Sequence, residues 1–318
     1  MNQPLFISWK RYQRRSDVLA EALGAEMVWR PHRATSKVLR PSDYLAHSRE
    51  DLALIRSRRP SFVIAQTQPH LPGLAPYLAK VPYVIDAHNG QFQSWWRKVP
   101  GTERILRGAQ LVLTHNREAD AMAREAFPGL RTLVVHDPLR EMAPAAPRDW
   151  VFVVATAAPD EPMDVLVDVI EAMPSVTFAT TAPLHKLPEP LRERAARLPN
   201  LRTLGFLDLP DYEAALAGAR AVVVLTDREG CQPSGACEAL SAARPLVLSR
   251  TGTTEELFGS FATLVPNESA ALAAGVREAL ADDRGRPARI AAARAQWSVR
   301  TAAELAELAS FLPTGATR

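Results

Sequence analysis

The feature that most constrains this chain is a repeated alternation: short apolar runs of strand length, separated by stretches with helical spacing. In the first half the runs are Leu5–Ile7, Met27–Trp29, Phe62–Ala65, Tyr83–Ile85, Leu111–Leu113 and Leu133–Val135. Most lack polar alternation, which is the pattern of strands buried on both faces of a parallel sheet. Ser16 is placed to cap a helix running to Leu23, with Gly24 as its stop signal. Asp43 to Ser57 puts Leu45, Leu52 and Ile55 on one helical stripe. The segment Glu141–Asp149, with two prolines and no apolar period, interrupts the rhythm. It then restarts at Val151–Ala155, Val176–Ala179, Leu201–Leu204, Ala221–Leu225, Leu246–Leu248 and Thr263–Val265. The expected architecture is therefore α/β, with two Rossmann-like doubly wound domains. Residues 1–142 form the first, 143–149 the linker, 150–285 the second, and 286–318 an alanine-rich helical segment.

Composition narrows the class. A chain of 318 residues that is 47% hydrophobic is long enough for two cores and too apolar to be disordered. It has no run long enough to span a bilayer as a helix. Its amino terminus puts charge after the first apolar stretch, the wrong order for a secretory signal, so a cytoplasmic location is expected. The two cysteines, Cys231 and Cys237, are too few for a disulfide framework or a zinc site, and no metal is expected. Residues 1–150 carry 22 basic side chains against 14 acidic, while the remainder has 16 against 21. A basic first domain fits an anionic partner, or else an arginine-rich solvated surface. The basic residues are scattered and accompany no nucleic-acid reading motif, so no nucleic-acid partner is expected. Neither a P-loop nor a dinucleotide fingerprint follows the first strand.

Doubly wound sheets bind ligands beyond the carboxyl ends of their strands, so the strand ends are the residues to read. The richest is TDREGCQPSGACEALSAARPLVLSRTGTTEE, from Thr226 to Glu256. A buried strand leads to a loop with Gly230, Pro233 and Gly235, and then to a helix. Free amides at such a helix start favour an anion. Ser234, Gly235 and Ala236 read as a phosphate cradle, and Glu238, about a turn further on, as a carboxylate for a ribose. A capped helix with an early glutamate is the alternative.

This run, followed by GTTEEL, resembles the donor-site signature of retaining GT-B glycosyltransferases, and more narrowly of glycosyltransferase family four. The segments PYVIDAHNG, LVLTHNREADAM and LVVHDPL are similar in the same order, and the amino-terminal stretch is like that of short bacterial members. The resemblance implies two domains facing a cleft and a nucleotide-diphosphate sugar as donor. It also implies transfer with retention and no metal or other cofactor. Glu238 then holds the ribose, Glu229 takes the first-glutamate role, and Thr156 and Arg228 join the donor site. His88 approaches the donor sugar, with Asp86 orienting its ring, and Asn89 and Gly90 lie beside it. A turn held by local hydrogen bonds is the alternative for His88.

Two departures stand out. Glu229 and Glu238 have eight residues between them, one more than the family pattern, so either the loop carries an extra residue or Glu229 is not the sugar-contacting acid. The segment ATAAPDEPMD, where the family places an arginine and a lysine, contains no basic residue. Arg228, Lys186 and the pair Arg14–Arg15 are the candidates to neutralise a diphosphate, the pair acting with amides of a helix capped at Ser16. Phe92, Trp95 and Trp96 can line an acceptor pocket, dock at the inner face of a membrane, or pack under a loop. A saccharide or glycolipid is the expected acceptor. Two other functions fit the same residues: a sugar-nucleotide 2-epimerase-like isomerase, and a non-catalytic nucleotide-sugar-binding protein.

Overall fold

The computed structural model describes residues 2–33, 40–67, 70–88, 90–93 and 95–313. The chain folds into two compact units, Met1–Pro138 with Val299–Arg318, and Leu139–Ser298.

In the first unit the apolar runs become β1 (Leu5–Ser8), β2 (Glu26–Trp29), β3 (Val63–Gln66), β4 (Tyr83–Asp86), β5 (Leu111–Thr114) and β6 (Thr132–Val134). They form one parallel sheet in the order β2-β1-β3-β4-β5-β6. The strand order reverses between β1 and β3, which opens a crevice beyond their carboxyl ends. Leu5, Ile7, Val63, Ala65 and Ile85 pack into one core, and Phe6, Phe62, Ile64, Val84 and Leu113 into the other, so both faces of the sheet are covered. The first helix, Arg14–Ala22, stops where Gly24 takes a φ of +61°. Its N-cap is Gln13, not Ser16, which is buried inside the helix. The helix expected over Asp43–Ser57 spans Arg40–Arg58. Its inward face differs from the sequence expectation: Leu45 is exposed, while Asp43, His47 and Asp51 are buried with Ile55. Asp51 finds partners on other elements: Trp9 Nε1 donates to it at 2.8 Å, and Arg30 pairs with the same carboxylate.

In the second unit the strands are β7 (Val151–Val153), β8 (Phe178–Thr180), β9 (Leu201–Thr203), β10 (Ala221–Val224), β11 (Leu246–Ser249) and β12 (Thr263–Val265). Their order is β12-β11-β10-β7-β8-β9, all parallel, with the reversal between β7 and β10. Asp208 caps the helix Leu209–Ala217 by accepting from the amide of Asp211, and Thr251 and Thr254 form a reciprocal box at the start of Gly252–Phe258.

The ends of the units differ from the sequence expectation. The stretch 143–149 packs as part of the second unit: Ala145 lies against its core, and Arg148 N donates to Gly218 O at 2.8 Å. The long helix Arg286–Ser310 is no separate segment either. Its first part sends Ile290, Ala293 and Trp297 into the core of the second unit, where Trp297 stacks on Phe258. Its last part puts Leu305 and Leu308 on Phe6, Leu19 and Leu23 of the first. Alanine at many of its other positions gives good helix propensity without deciding which core is served.

Close approach at the reversal between β7 and β10 rests on Gly235. A Cβ there would come within 2.8 Å of Val154 Cγ1 and 3.1 Å of Val224 Cγ2. Gly235→Ala is therefore expected to lower the unfolding free energy by about 1–3 kcal/mol, the cost of overpacking a close contact. A thermal melt checks it, and an unchanged midpoint would show that the helix has room to shift.

Candidate functional site

In the first unit the four inner strands all end on a buried polar residue: Ser8, Gln66, Asp86 and Thr114. Gln66 and Asp86 are register partners, so the two side chains stand side by side beyond adjacent strands. Asp86 is fully buried and accepts from Arg15 Nε at 2.9 Å; Arg15 Nη1 reaches Asp137 and the carbonyl of Val135, each at 2.7 Å. Burial by itself would raise the Asp86 carboxyl. The Arg15 charge and the nearby His88 reverse that and hold it well below the usual carboxylate range. Burial likewise works against the Arg15 charge, but Asp86 and Asp137 more than offset it.

This pairing corrects the expectation for Arg15. Arg14 and Arg15 are both buried in the first turn of their helix, and Arg15 is committed to two carboxylates of its own unit. It is a fixed internal counter-charge. His88, two residues past β4, keeps about a fifth of its side chain exposed, and its Nε2 lies 3.6 Å from Asp86 Oδ2. The same nitrogen is 3.0 Å from Gln66 Nε2 and 3.3 Å from Gln13 Nε2. Asn89 lies outside the described residues; Gly90 opens the short helix Gly90–Gln93. His115 packs beside His88 at 5.9 Å between ring centres, and burial pushes it well below the usual imidazole range. His136 meets Glu304 at 2.7 Å. Phe92 is buried in the core, whereas Trp95 is 63% exposed and stacks on Trp96. Trp96 in turn contacts Tyr44 and His70 edge-on.

In the second unit Gly235 and Ala236 are buried at the start of the helix Ser234–Ser241, and Ser234 is exposed there. Glu238 is buried on that helix and accepts from the Tyr212 hydroxyl at 2.5 Å. Arg228 and Glu229 are exposed in the loop after β10. Glu229 takes the amide of Gly252 at 3.1 Å, which ties it to the start of the next helix. Thr226 N donates to Ser249 Oγ, Ser249 Oγ to Asn267, and Asn267 Nδ2 back to Thr226 O, so the loops after β10, β11 and β12 are linked. After β7, Glu161 accepts from Thr156 N and Thr156 Oγ1 and from Ala158 N. The carboxylate thus fills the amides of a loop that has no basic residue. Lys186 is exposed at the end of a turn after β8. Among the described residues no group of three or more His, Cys, Asp or Glu is placed to hold a metal ion, and no helix is long and apolar enough to cross a membrane.

The structure thus gathers Asp86 and His88 with residues that the sequence pattern did not single out: Ser8, Gln13, Gln66 and Asp137. The available signal was position, because Ser8, Gln66 and Asp86 each end a strand-length apolar run. Tyr212 and Glu161 gave no such signal.

Residues 148–282 match the family Glycosyl transferases group 1. No curated protein matches the sequence. Among solved structures, HepE from Anabaena in complex with UDP and glucose superposes with a TM-score of 0.71 at 17% identity, over 98% of this chain and 100% of that one. Sucrose-phosphate synthase from Thermosynechococcus elongatus gives 0.70 at 14%, over 97% and 99%. A trehalose-6-phosphate protein from E. coli bound with UDP-2-fluoro glucose gives 0.68 at 13%, over 97% and 98%. At these identities the likeness establishes the fold, two Rossmann-like domains of GT-B type. With the group 1 domain in its second unit, the protein falls in the class of glycosyltransferases.

The buried ion cluster yields a stability prediction. Arg15→Leu leaves two carboxylates without their cation and should cost about 3–5 kcal/mol at neutral pH. In the wild type the Asp86 contribution is complete above about pH 4 and is lost as pH falls toward the depressed native value. Arg15→Leu should abolish that acid-side loss. Urea unfolding at about pH 7 and pH 3 measures both effects; an unchanged acid slope in the variant would show that Asp86 is not the titrating group.

Proposed function

We propose that the protein transfers a sugar from a nucleotide diphosphate to a saccharide or glycolipid acceptor, with retention at the anomeric carbon and without a metal. The observation that carries this reading is the start of the Ser234–Ser241 helix at the reversal between β7 and β10. Gly235 lets it approach Val154 closely, and Glu238 is buried one turn on. Its free amides and helix dipole suit the diphosphate, and Glu238 suits the ribose hydroxyls. UDP is the nucleotide of choice, since HepE and the E. coli trehalose-6-phosphate protein carry UDP or a UDP-sugar. Arg228 is the exposed cation in the loop, and Glu229, anchored on Gly252, is available to the sugar hydroxyls.

In the reaction the bond from the anomeric carbon to the β-phosphate oxygen breaks and an acceptor oxygen bonds to the same carbon. The acceptor proton leaves with the departing diphosphate. Helix amides stabilise the charge that builds on the leaving group. His88 is the catalytic candidate of the first unit.

An amphiphilic acceptor has its own support. A groove of about 930 Å³ beside the helix Thr102–Gly108 is lined by Arg97, Lys98, Arg104 and Arg107 together with Tyr77 and Phe127. Glu103 also lines it and pairs with Arg107, and the remaining cations, with Trp95 exposed nearby in the chain, suit a glycolipid or the anionic inner face of a membrane.

Calorimetric titration with UDP tests the donor site. Glu238→Ala should weaken UDP binding by about 1–3 kcal/mol, the range for a lost hydrogen bond to a charged group. Equal affinity in the variant would remove Glu238 from the ribose. Failure of the wild type to bind any nucleoside diphosphate would overturn the donor reading, and the acidic loop at Glu161 would be the reason to look to.

A further inference from the structure

We propose that Gln66 is a positioning residue that sets the tautomer of His88, keeping the ring proton on Nδ1. Gln66 sits at the end of β3, beside the reversal of strand order, with only 2% of its surface exposed. The Ser8 hydroxyl donates to Gln66 Oε1, and the Gln66 amide nitrogen donates to Gln13 Oε1. That orientation points an N–H of Gln66 at His88 Nε2, 3.0 Å away, and Gln13 Nε2 lies 3.3 Å from the same nitrogen. A nitrogen facing two amide donors has to offer its lone pair, so in the neutral ring the hydrogen resides on Nδ1. Nδ1 makes no hydrogen bond to a described residue, and about a fifth of the side chain is exposed.

Asp86 pulls the other way. Its Oδ2 lies 3.6 Å from His88 Nε2, is buried, and has no hydrogen-bond partner among the described residues. A carboxylate oxygen at that distance favours a proton on Nε2, even with the other oxygen held by Arg15. The two glutamine amides decide the contest together. Reversing Gln66 alone would set its carbonyl oxygen against that of Gln13, so the pair reverses jointly or not at all. In the observed polarity Nδ1–H is a donor with no partner among the described residues. In the reversed one, Nε2–H would turn inward to Gln66 and Asp86, and Nδ1 would become an acceptor. A ring that must donate to an oxygen of the reacting sugar or of the leaving group works in the first state only.

The catalytic consequence rests on His88 being a catalytic group of the proposed transfer, but the test of the tautomer does not need the substrate. Heteronuclear NMR of imidazole-labelled protein, at about pH 9 where imidazoles are neutral, separates Nδ1–H from Nε2–H through the ring nitrogen shifts. His88→Gln identifies the signal. The wild type is expected in the Nδ1–H form. Gln66→Glu, which can only accept, should convert it to Nε2–H, and Gln66→Leu should leave a mixture drawn toward Asp86. A wild-type ring in the Nε2–H form, or an unchanged tautomer in folded Gln66→Glu, would overturn the proposal. With a nucleotide sugar that turns over, Gln66→Glu should lower kcat about 10²-fold with little change in KM. A merely structural Gln66 would instead lower the melting temperature and leave both the tautomer and kcat in place. If the tautomer responds as expected while the wild type transfers no sugar, the transfer reading fails and the role of Gln66 stands.

Discussion

Strands of three or four residues, buried on both faces of a parallel sheet, leave a polar side chain no place except the carboxyl end. That constraint organises both units. Along β1, β3, β4 and β5 every residue is buried, and apart from the Tyr83 hydroxyl the chain becomes polar only where the sheet stops, at Ser8, Gln66, Asp86 and Thr114. The reversal of strand order between β1 and β3, and between β7 and β10, then opens a crevice beside those ends. In the first unit Ser8, Gln66, Asp86 and Thr114 are gathered there because the strands themselves are buried.

In the first unit the crevice is set on a buried charge cluster. Arg15 bridges Asp86 and Asp137, and so joins the first helix to the ends of β4 and β6. Two carboxylates share one guanidinium, which keeps Asp86 ionised against the pull of burial. Asp86 therefore has a standing negative charge to present to His88, while Gln13 and Gln66 face the same ring nitrogen with dipoles of the opposite preference. Here the handling of charge produces function: a fixed ion pair supplies the field, and neutral amides choose which edge of the imidazole carries hydrogen. The second unit works with less charge. Its helix Ser234–Ser241 starts at the reversal between β7 and β10, its loop after β7 is filled by Glu161, and the Tyr212 hydroxyl steadies Glu238.

Much of the fold is legible in the chain. The apolar runs mark the strands of the described residues to within a few residues, most directly the inner ones, because a strand buried on both faces has to be apolar. The loop and helix from Thr226 to Glu238 are legible for a related reason: glycine, proline and an early glutamate around a helix start are local demands of backbone geometry. Leu45 departs from its expected place because helical spacing says which residues share a face and not which face turns inward. The inward face of its helix holds Asp43, His47 and Asp51, the last made tolerable by Trp9 and Arg30 from other elements. Ser16 lies inside its helix and not at the cap because the partners that draw Arg15 inward lie about 70 and 120 residues away in the sequence.

The sequence by itself determined the class of fold, the two series of strands and the glycines on which close approach depends, since all of these follow from local periodicity and steric limits. The tertiary structure alone decided that Arg15 is a counter-charge while Arg228 stays exposed, that the helix Arg286–Ser310 serves two cores, and that Gln13 and Gln66 converge on His88. Those outcomes depend on distances between residues far apart in the chain. The energy of a buried charge or amide is set by what surrounds it in space, and a linear pattern carries no record of that.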